Sequence, residues 1–207
     1  MTTTIVLTRH GHVDWIAPER FRGRAEIPLS ALGERQAEAL GQRVAQGWKP
    51  HAIYTSPLSR CVRTGDAIAR ATGAHAEQLS NLADTHYGQW QGLTHDEVRA
   101  RWPEELQVWF DSPDMAAIPG GETLAAVLAR GVEVLQHVLH HHQNQTVVLV
   151  GHDSINRVIL LHSLGLPLLR YWRIKQEPCC LNELSGEGQT FTIHRINESH
   201  HLMMVNG

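Results

Sequence analysis

The chain has 207 residues, 42% of them hydrophobic and 19% charged, with a formal net charge of -3. That length can bury one sizeable core, and the balance of apolar and charged residues excludes an intrinsically disordered chain. The charge gives no general attraction to nucleic acid or to an acidic membrane, so an anionic ligand would need a local basic pocket. The longest apolar runs are far shorter than the roughly 20 residues of a membrane span. Met1-Thr2-Thr3-Thr4 leads into a strand without the charged and apolar regions of a signal peptide. Cys61, Cys179 and Cys180 do not make a disulfide framework. The expectation is a single cytoplasmic domain over residues 1–207, with no nucleic acid and no membrane among its partners.

Residues 4–7, Thr-Ile-Val-Leu, form a short apolar run that stops at Arg9-His10-Gly11. Unbroken Ile/Val/Leu over so few residues predicts a strand buried on both faces, as in parallel sheets. A loop over 11–30 follows, holding Arg20, Arg22 and Arg24, and Ser30 is placed to cap a helix whose apolar face is Ala37, Leu40, Val44 and Trp48. Residues 52–55 read as the next strand. A helix from about 59 to 72 ends at Gly73, a residue suited to a C-terminal cap. That order is the βαβ pattern, with the first helix returning to a parallel neighbour.

Residues 84–120 change character. Trp90, Trp102 and Trp109 mix with Pro103, Pro113 and Pro119, and the helical period is short and interrupted, which predicts an irregular helical cap over the sheet. A long helix is expected from Glu122 to about His142, with Leu124, Leu128, Val132, Leu135 and Leu139 on its apolar face. Thr146-Val147-Val148-Leu149-Val150 repeats the opening pattern and ends in Gly151-His152-Asp153. A helix over 154–164 follows. Residues 181–184 and 191–196 read as an edge hairpin. The fold class is therefore α/β, a three-layer arrangement around a mainly parallel sheet.

Ligands of open α/β sheets lie beyond the carboxyl ends of the strands. Two buried strands that each deliver a histidine to that end place His10 and His152 over one pocket. Arg9 and Arg60 stand beside strand tips too, and arginine's planar fork suits a phosphate group. His140-His141-His142 is a poor metal site, because neighbouring helical residues point about 100° apart. Cys179 and Cys180, adjacent in an expected strand, would face opposite sides and lack zinc spacing.

Arg9-His10-Gly11, Ser56-Pro57-Leu58-Ser59-Arg60-Cys61 and Gly151-His152 together resemble the histidine phosphatase superfamily, the phosphoglycerate mutase-like proteins. Between them, in the family's order, lie residues 28–37, Tyr87-Gly88-Gln89-Trp90-Gln91-Gly92 and Pro119-Gly120-Gly121-Glu122-Thr123. The resemblance runs from about residue 4 to 202. It implies a phosphomonoesterase that needs no metal or other cofactor and acts on a small phosphorylated metabolite, releasing inorganic phosphate. It assigns the phosphohistidine to His10, and phosphate binding to Arg9, Arg60 and His152. A phosphoglycerate-type mutase and a catalytically idle phosphate-binding module are the alternatives.

Several positions depart from the family's pattern. Asp84 occupies the slot in which relatives carry a glutamate as proton donor, one methylene shorter. His86 and Asp153 are the other candidate donors. His12-Val13-Asp14-Trp15-Ile16 replaces the usual polar stretch, and Ile16 cannot donate to a phosphate oxygen. Asp153 stands where a small residue is common. His12, Asp153, Arg20 and Arg22 are the candidates for shaping substrate preference, and residues 166–172 are apolar enough for core or a homodimer surface.

Overall fold

Thr3–Arg9 (β1) and Thr146–Gly151 (β4) lie side by side in the middle of a six-stranded sheet. In the computed structural model, which describes residues 1–16 and 18–205 apart from the side chain of Ile16, their apolar residues are wholly buried. Ile5, Leu7, Val147 and Leu149 face one side, while Val6, Val148 and Val150 face the other. Each such side chain stabilises the fold by about 1.5–3 kcal/mol on burial, which is why a run without polar alternation belongs at the sheet centre. The point about Ile16 lies outside the described residues.

Ala52–Thr55 (β2) and His75–Gln78 (β3) extend the parallel part beyond β4. Leu181–Glu187 (β5) and Thr190–Glu198 (β6) add antiparallel strands beyond β1, giving the order β3-β2-β4-β1-β5-β6. β1 pairs with β4, not with β2, so the first crossover skips a position that β4 later fills. β3 was not foreseen. Its residues are mostly exposed and carry none of the apolar signal that marks the central strands.

Ala31–Gly47 (α1) and Ser59–Thr72 (α2) pack together on the face built from Val6, Ile53, Val148 and Val150. Ser30 accepts from the Gly33 N–H as α1's cap, and Gly73 closes α2 with a φ of 76°. Leu124–His141 (α5) and Asp153–Ser163 (α6) cover the other face. α5 starts two residues later than expected because the Thr123 side chain caps it. Its buried stripe is Leu124, Val127, Gly131, Val134, Leu135 and Val138. Leu128, Val132 and Leu139 flank it, because α6 approaches over Gly131, where a Cβ would come within 3.1 Å of Ile159.

The expected cap contains the short helices His95–Arg101 (α3) and Pro103–Asp111 (α4). Trp90 and Trp109 are buried beneath them and pack with Phe21, Tyr87 and Tyr171. The 166–172 stretch divides: Tyr171 is core, while Leu166, Leu169 and Trp172 remain partly exposed. Cys179 and Cys180 are buried free thiols in the turn before β5, not in a strand; Cys179 has a φ of 54°. His140 and His141 are exposed at the end of α5, whereas His142 is buried against Tyr54 and Gln145. Among the described residues, no helix is long and apolar enough to cross a membrane.

Candidate active site

Sheet register brings the two histidines together. Arg9 pairs with Gly151, so β1 and β4 end level and His10 and His152 leave adjacent tips. Their rings meet edge to face with centroids 5.2 Å apart, and both are buried. The His10 backbone N–H donates to the Gly151 carbonyl. Its Nδ1 lies 2.7 Å from the Gly11 carbonyl, an acceptor only, so Nδ1 carries the proton and Nε2 keeps its lone pair. Burial, then Arg60, His152 and Arg9, hold the His10 imidazole well below its ordinary pKa despite the Gly11 carbonyl. His10 is a neutral base with a fixed tautomer.

The backbone behind His10 is immobilised by close approach. The Ser30 N–H donates to the His12 carbonyl, and a Cβ on Gly33 would fall 2.1 Å from that oxygen. Only glycine lets the first turn of α1 sit there. The same contact turns His12 away from the cleft, with its Nδ1 2.8 Å from Ser30 Oγ and its ring beside a separate hollow that includes Glu177 and Ser199.

His152 is also held neutral, by burial first and then by Arg60 and Arg9. Its Nε2 is 2.8 Å from Ser56 Oγ and its Nδ1 is 3.7 Å from Asp84 Oδ2. With a neutral ring, the approach to Asp84 is not an ion pair. Arg60 opens α2 and is wholly buried, donating to the carbonyls of Ala25 and Gly23 at 2.8 and 2.7 Å. One of its nitrogens lies 3.5 Å from Asp84 Oδ2. Arg9 donates to the Gln176 carbonyl at 2.6 Å. In both arginines the buried Nε has no partner.

Asp84 is buried, 6% exposed. Its Oδ1 accepts from the Thr85 N–H at 2.9 Å and from Ser154 Oγ at 2.5 Å. Its carbonyl accepts from Arg24 and Arg130. Arg130 also donates to the carbonyls of Asn81 and Ala83, and Glu122 ties together Arg130, Arg24 and the His86 N–H. His86, a candidate donor, is engaged in its own loop, its Nδ1 accepting from the Gly88 N–H.

A cleft of about 120 Å³ opens above Asp84 and Ser154. Arg22 lines it, its guanidinium pushed below its ordinary pKa by burial and then by Arg9. Tyr87, Trp109, Phe110, Tyr171 and Trp172 supply aromatic walls. Asp153 also lines the cleft and is paired with Arg157 at 2.9 Å, so the extra carboxylate beside an anion site is neutralised locally. Arg20 reaches the rim but spends one nitrogen on the Gly92 carbonyl and Glu97. The structure thus brings together Arg9, His10, Arg60, Asp84 and His152, with Arg22 and Asp153 along the cleft. Among the described residues, no three His, Cys, Asp or Glu side chains are placed to hold a metal ion.

Sequence reasoning missed Ser56, Arg130 and Ser154, and gave Glu122 no role. Ser154 had one readable signal, its place immediately after Gly151-His152-Asp153. Arg130 had none, since the loop carbonyls it binds lie 46 to 49 residues earlier.

The family model of the histidine phosphatase superfamily (branch 1) matches residues 5–199. Phosphoserine phosphatase 1 of Hydrogenobacter thermophilus is 30% identical over 198 residues, covering 96% of this chain and 93% of its own. A 2,3-bisphosphoglycerate-dependent phosphoglycerate mutase of Mesorhizobium japonicum is 34% identical over 170 residues, 78% of this chain and 81% of its own. The solved structure of YhfR from Bacillus stearothermophilus is similar with a TM-score of 0.91 at 28% identity, covering 97% of this chain and 99% of that one.

Proposed function

The chain belongs to the histidine phosphatase superfamily, and on that premise we propose that it hydrolyses small phosphomonoesters through a phosphohistidine at His10. The observation that carries this reading is the state of His10: a neutral ring, its Nδ1 proton held by the Gly11 carbonyl, beside two buried arginines. Nε2 attacks phosphorus, the bond from phosphorus to the ester oxygen breaks, and its electron pair leaves with that oxygen. The Asp84 carboxyl supplies the proton the leaving oxygen takes up. A water then attacks phosphorus and gives a proton to the Asp84 carboxylate. The phosphorus–nitrogen bond breaks, and its electrons return to Nε2.

Arg9, Arg60, Arg22 and the His152 ring face the phosphoryl oxygens in this scheme. They concentrate fixed positive charge and donors where negative charge spreads in phosphoryl transfer. The cleft is small, about 120 Å³, which favours a small alcohol as leaving group. The phosphoserine phosphatase among the relatives is consistent with that size. O-phosphoserine is therefore the first metabolite to try.

Mutase chemistry is the second reading, favoured by the similarity to a phosphoglycerate mutase. It would send the phosphoryl group of His10 to a second hydroxyl instead of water. The test is phosphate release from p-nitrophenyl phosphate across pH, with chelator present, for the parent and His10→Ala. The hydrolase reading expects robust release that falls more than about 10³-fold in the variant. Isomerisation of 3-phosphoglycerate with a bisphosphorylated primer and little free phosphate would favour the mutase. Saturable phosphate binding without either product would leave an idle binding module.

A further inference from the structure

Asp84 stands in the slot where relatives carry a glutamate, and its two carboxylate oxygens are held differently. Asp84 Oδ1 takes two donors, the Thr85 N–H and the Ser154 hydroxyl. Oδ2 takes neither; it accepts one long hydrogen bond from Arg60 at 3.5 Å and lies 3.7 Å from His152 Nδ1. Ser154 lies in the first turn of α6, two residues beyond His152, and is 1% exposed. A side chain one methylene shorter than glutamate would otherwise be free to fold back on its own loop. The donor from α6 reaches it from the opposite side.

Resting on the reading of Asp84 as the acid and base, we propose that Ser154 is a positioning residue for the phosphoryl-transfer reaction: its hydroxyl occupies Asp84 Oδ1 so that the transferable proton resides on Oδ2, beside the phosphate-binding groups. An oxygen that already accepts two hydrogen bonds is the poorer proton site. The oxygen facing the pocket therefore carries the proton in the first step and receives it in the second.

Two aryl phosphates of similar shape separate this role from simple packing. The p-nitrophenolate ion leaves with little help, whereas phenolate needs the proton. In Ser154→Ala, kcat/KM for phenyl phosphate is expected to fall about tenfold or more, within the range of a general acid's contribution. For p-nitrophenyl phosphate the loss should stay below about threefold, by the same reasoning. The basic limb of the phenyl phosphate profile should move toward higher pH in the same variant, because a donor to the carboxylate is lost. Ser154→Thr, which restores a hydroxyl, should return the limb toward the parent.

Alanine fits where serine fits, and the Thr85 N–H keeps Asp84 Oδ1 as its acceptor, so the variant does not threaten the fold. Equal losses on both esters with an unmoved limb would overturn the proposal while leaving the hydrolase reading intact. A parent that shows no His10-dependent turnover of either ester would overturn both.

Discussion

The two halves of the site are held by different means. His10 and His152 stand on strand tips, aligned by the pairing of Arg9 with Gly151. Asp84 stands on a loop, and side chains from three distant places hold it: Arg24, Arg130 and Ser154. The first half is as rigid as the sheet beneath it. The second depends on individual hydrogen bonds, so single substitutions should move it without disturbing the first.

Arg60 bridges the halves, and its removal should cause the largest loss. It is wholly buried, satisfies the Gly23 and Ala25 carbonyls, and stands 3.5 Å from Asp84. Arg60→Ala should lower kcat/KM for an aryl phosphate by about 10²–10³-fold, the cost of deleting one donor to developing charge. It should also destabilise the fold by about 3–5 kcal/mol, as when one member of a buried charged cluster is lost. Measured rates within tenfold of the parent would mean that Arg9 and Arg22 suffice for the phosphate.

Arg130→Ala tests the loop half alone. Arg130 binds the carbonyls of Asn81, Ala83 and Asp84, and its side chain is mostly buried. Its loss should cost about 2 kcal/mol, one charge-assisted hydrogen bond's worth, lowering Tm by about 4–8 °C in a domain of this size. The kcat should drop by about tenfold or more, because a displacement near 1 Å is costly at a reacting centre. KM for an aryl phosphate should change little. If KM rises while kcat holds, the strap serves the phosphate-binding half instead.

The same division decides what could be read from the sequence. Residues 4–7 and 146–150 announce buried strands, and a parallel sheet delivers whatever follows them to one edge, so the meeting of His10 and His152 was legible, while the roles given to them came from the resemblance. Arg9 and Arg60 were legible for the same reason, each beside a strand tip. Asp84 was legible through the family's order alone. Glu122 and Arg130 act on residues 36 to 49 positions earlier, contacts that no local period records. β3 escaped because it is an edge strand with exposed side chains, and α5's buried stripe was misplaced because Gly131, the contact with α6, counts as neither apolar nor polar in a helical pattern.

The strand-tip half also makes a prediction about pH. His10 and His152 are both held well below the ordinary histidine value, chiefly by burial. Between the folded value and about 6.5, the unfolded chain binds more protons than the folded one, so stability rises with pH in that window. Above about 6.5 the contribution is flat. On acidification it is lost at up to about 1.4 kcal/mol per pH unit for each imidazole. Urea midpoints should therefore fall between pH 7 and pH 5.5, and the His10→Asn variant should show a shallower slope. An identical slope in that variant would mean that His10 is charged in the folded protein.

The smallest effect is expected at Asp153, a cleft residue outside both halves. Asp153 pairs with Arg157, and the Arg157 guanidinium lies 5.1 Å over the Tyr171 ring and 5.0 Å over that of Trp172. The carboxylate thus orients a cation that is already packed against the aromatic wall. Asp153→Asn keeps the shape and removes the charge from a mostly buried pair, and the amide oxygen can still accept from Arg157, so the change should be worth about 1 kcal/mol. For p-nitrophenyl phosphate, kcat/KM should stay within about fivefold, the factor that energy corresponds to. The change should appear instead as a different ranking among small esters, O-phosphoserine against a neutral alkyl phosphate. A uniform fall across all esters would place Asp153 with the phosphate-binding groups, and the division between the halves of the site would have to be redrawn around α6.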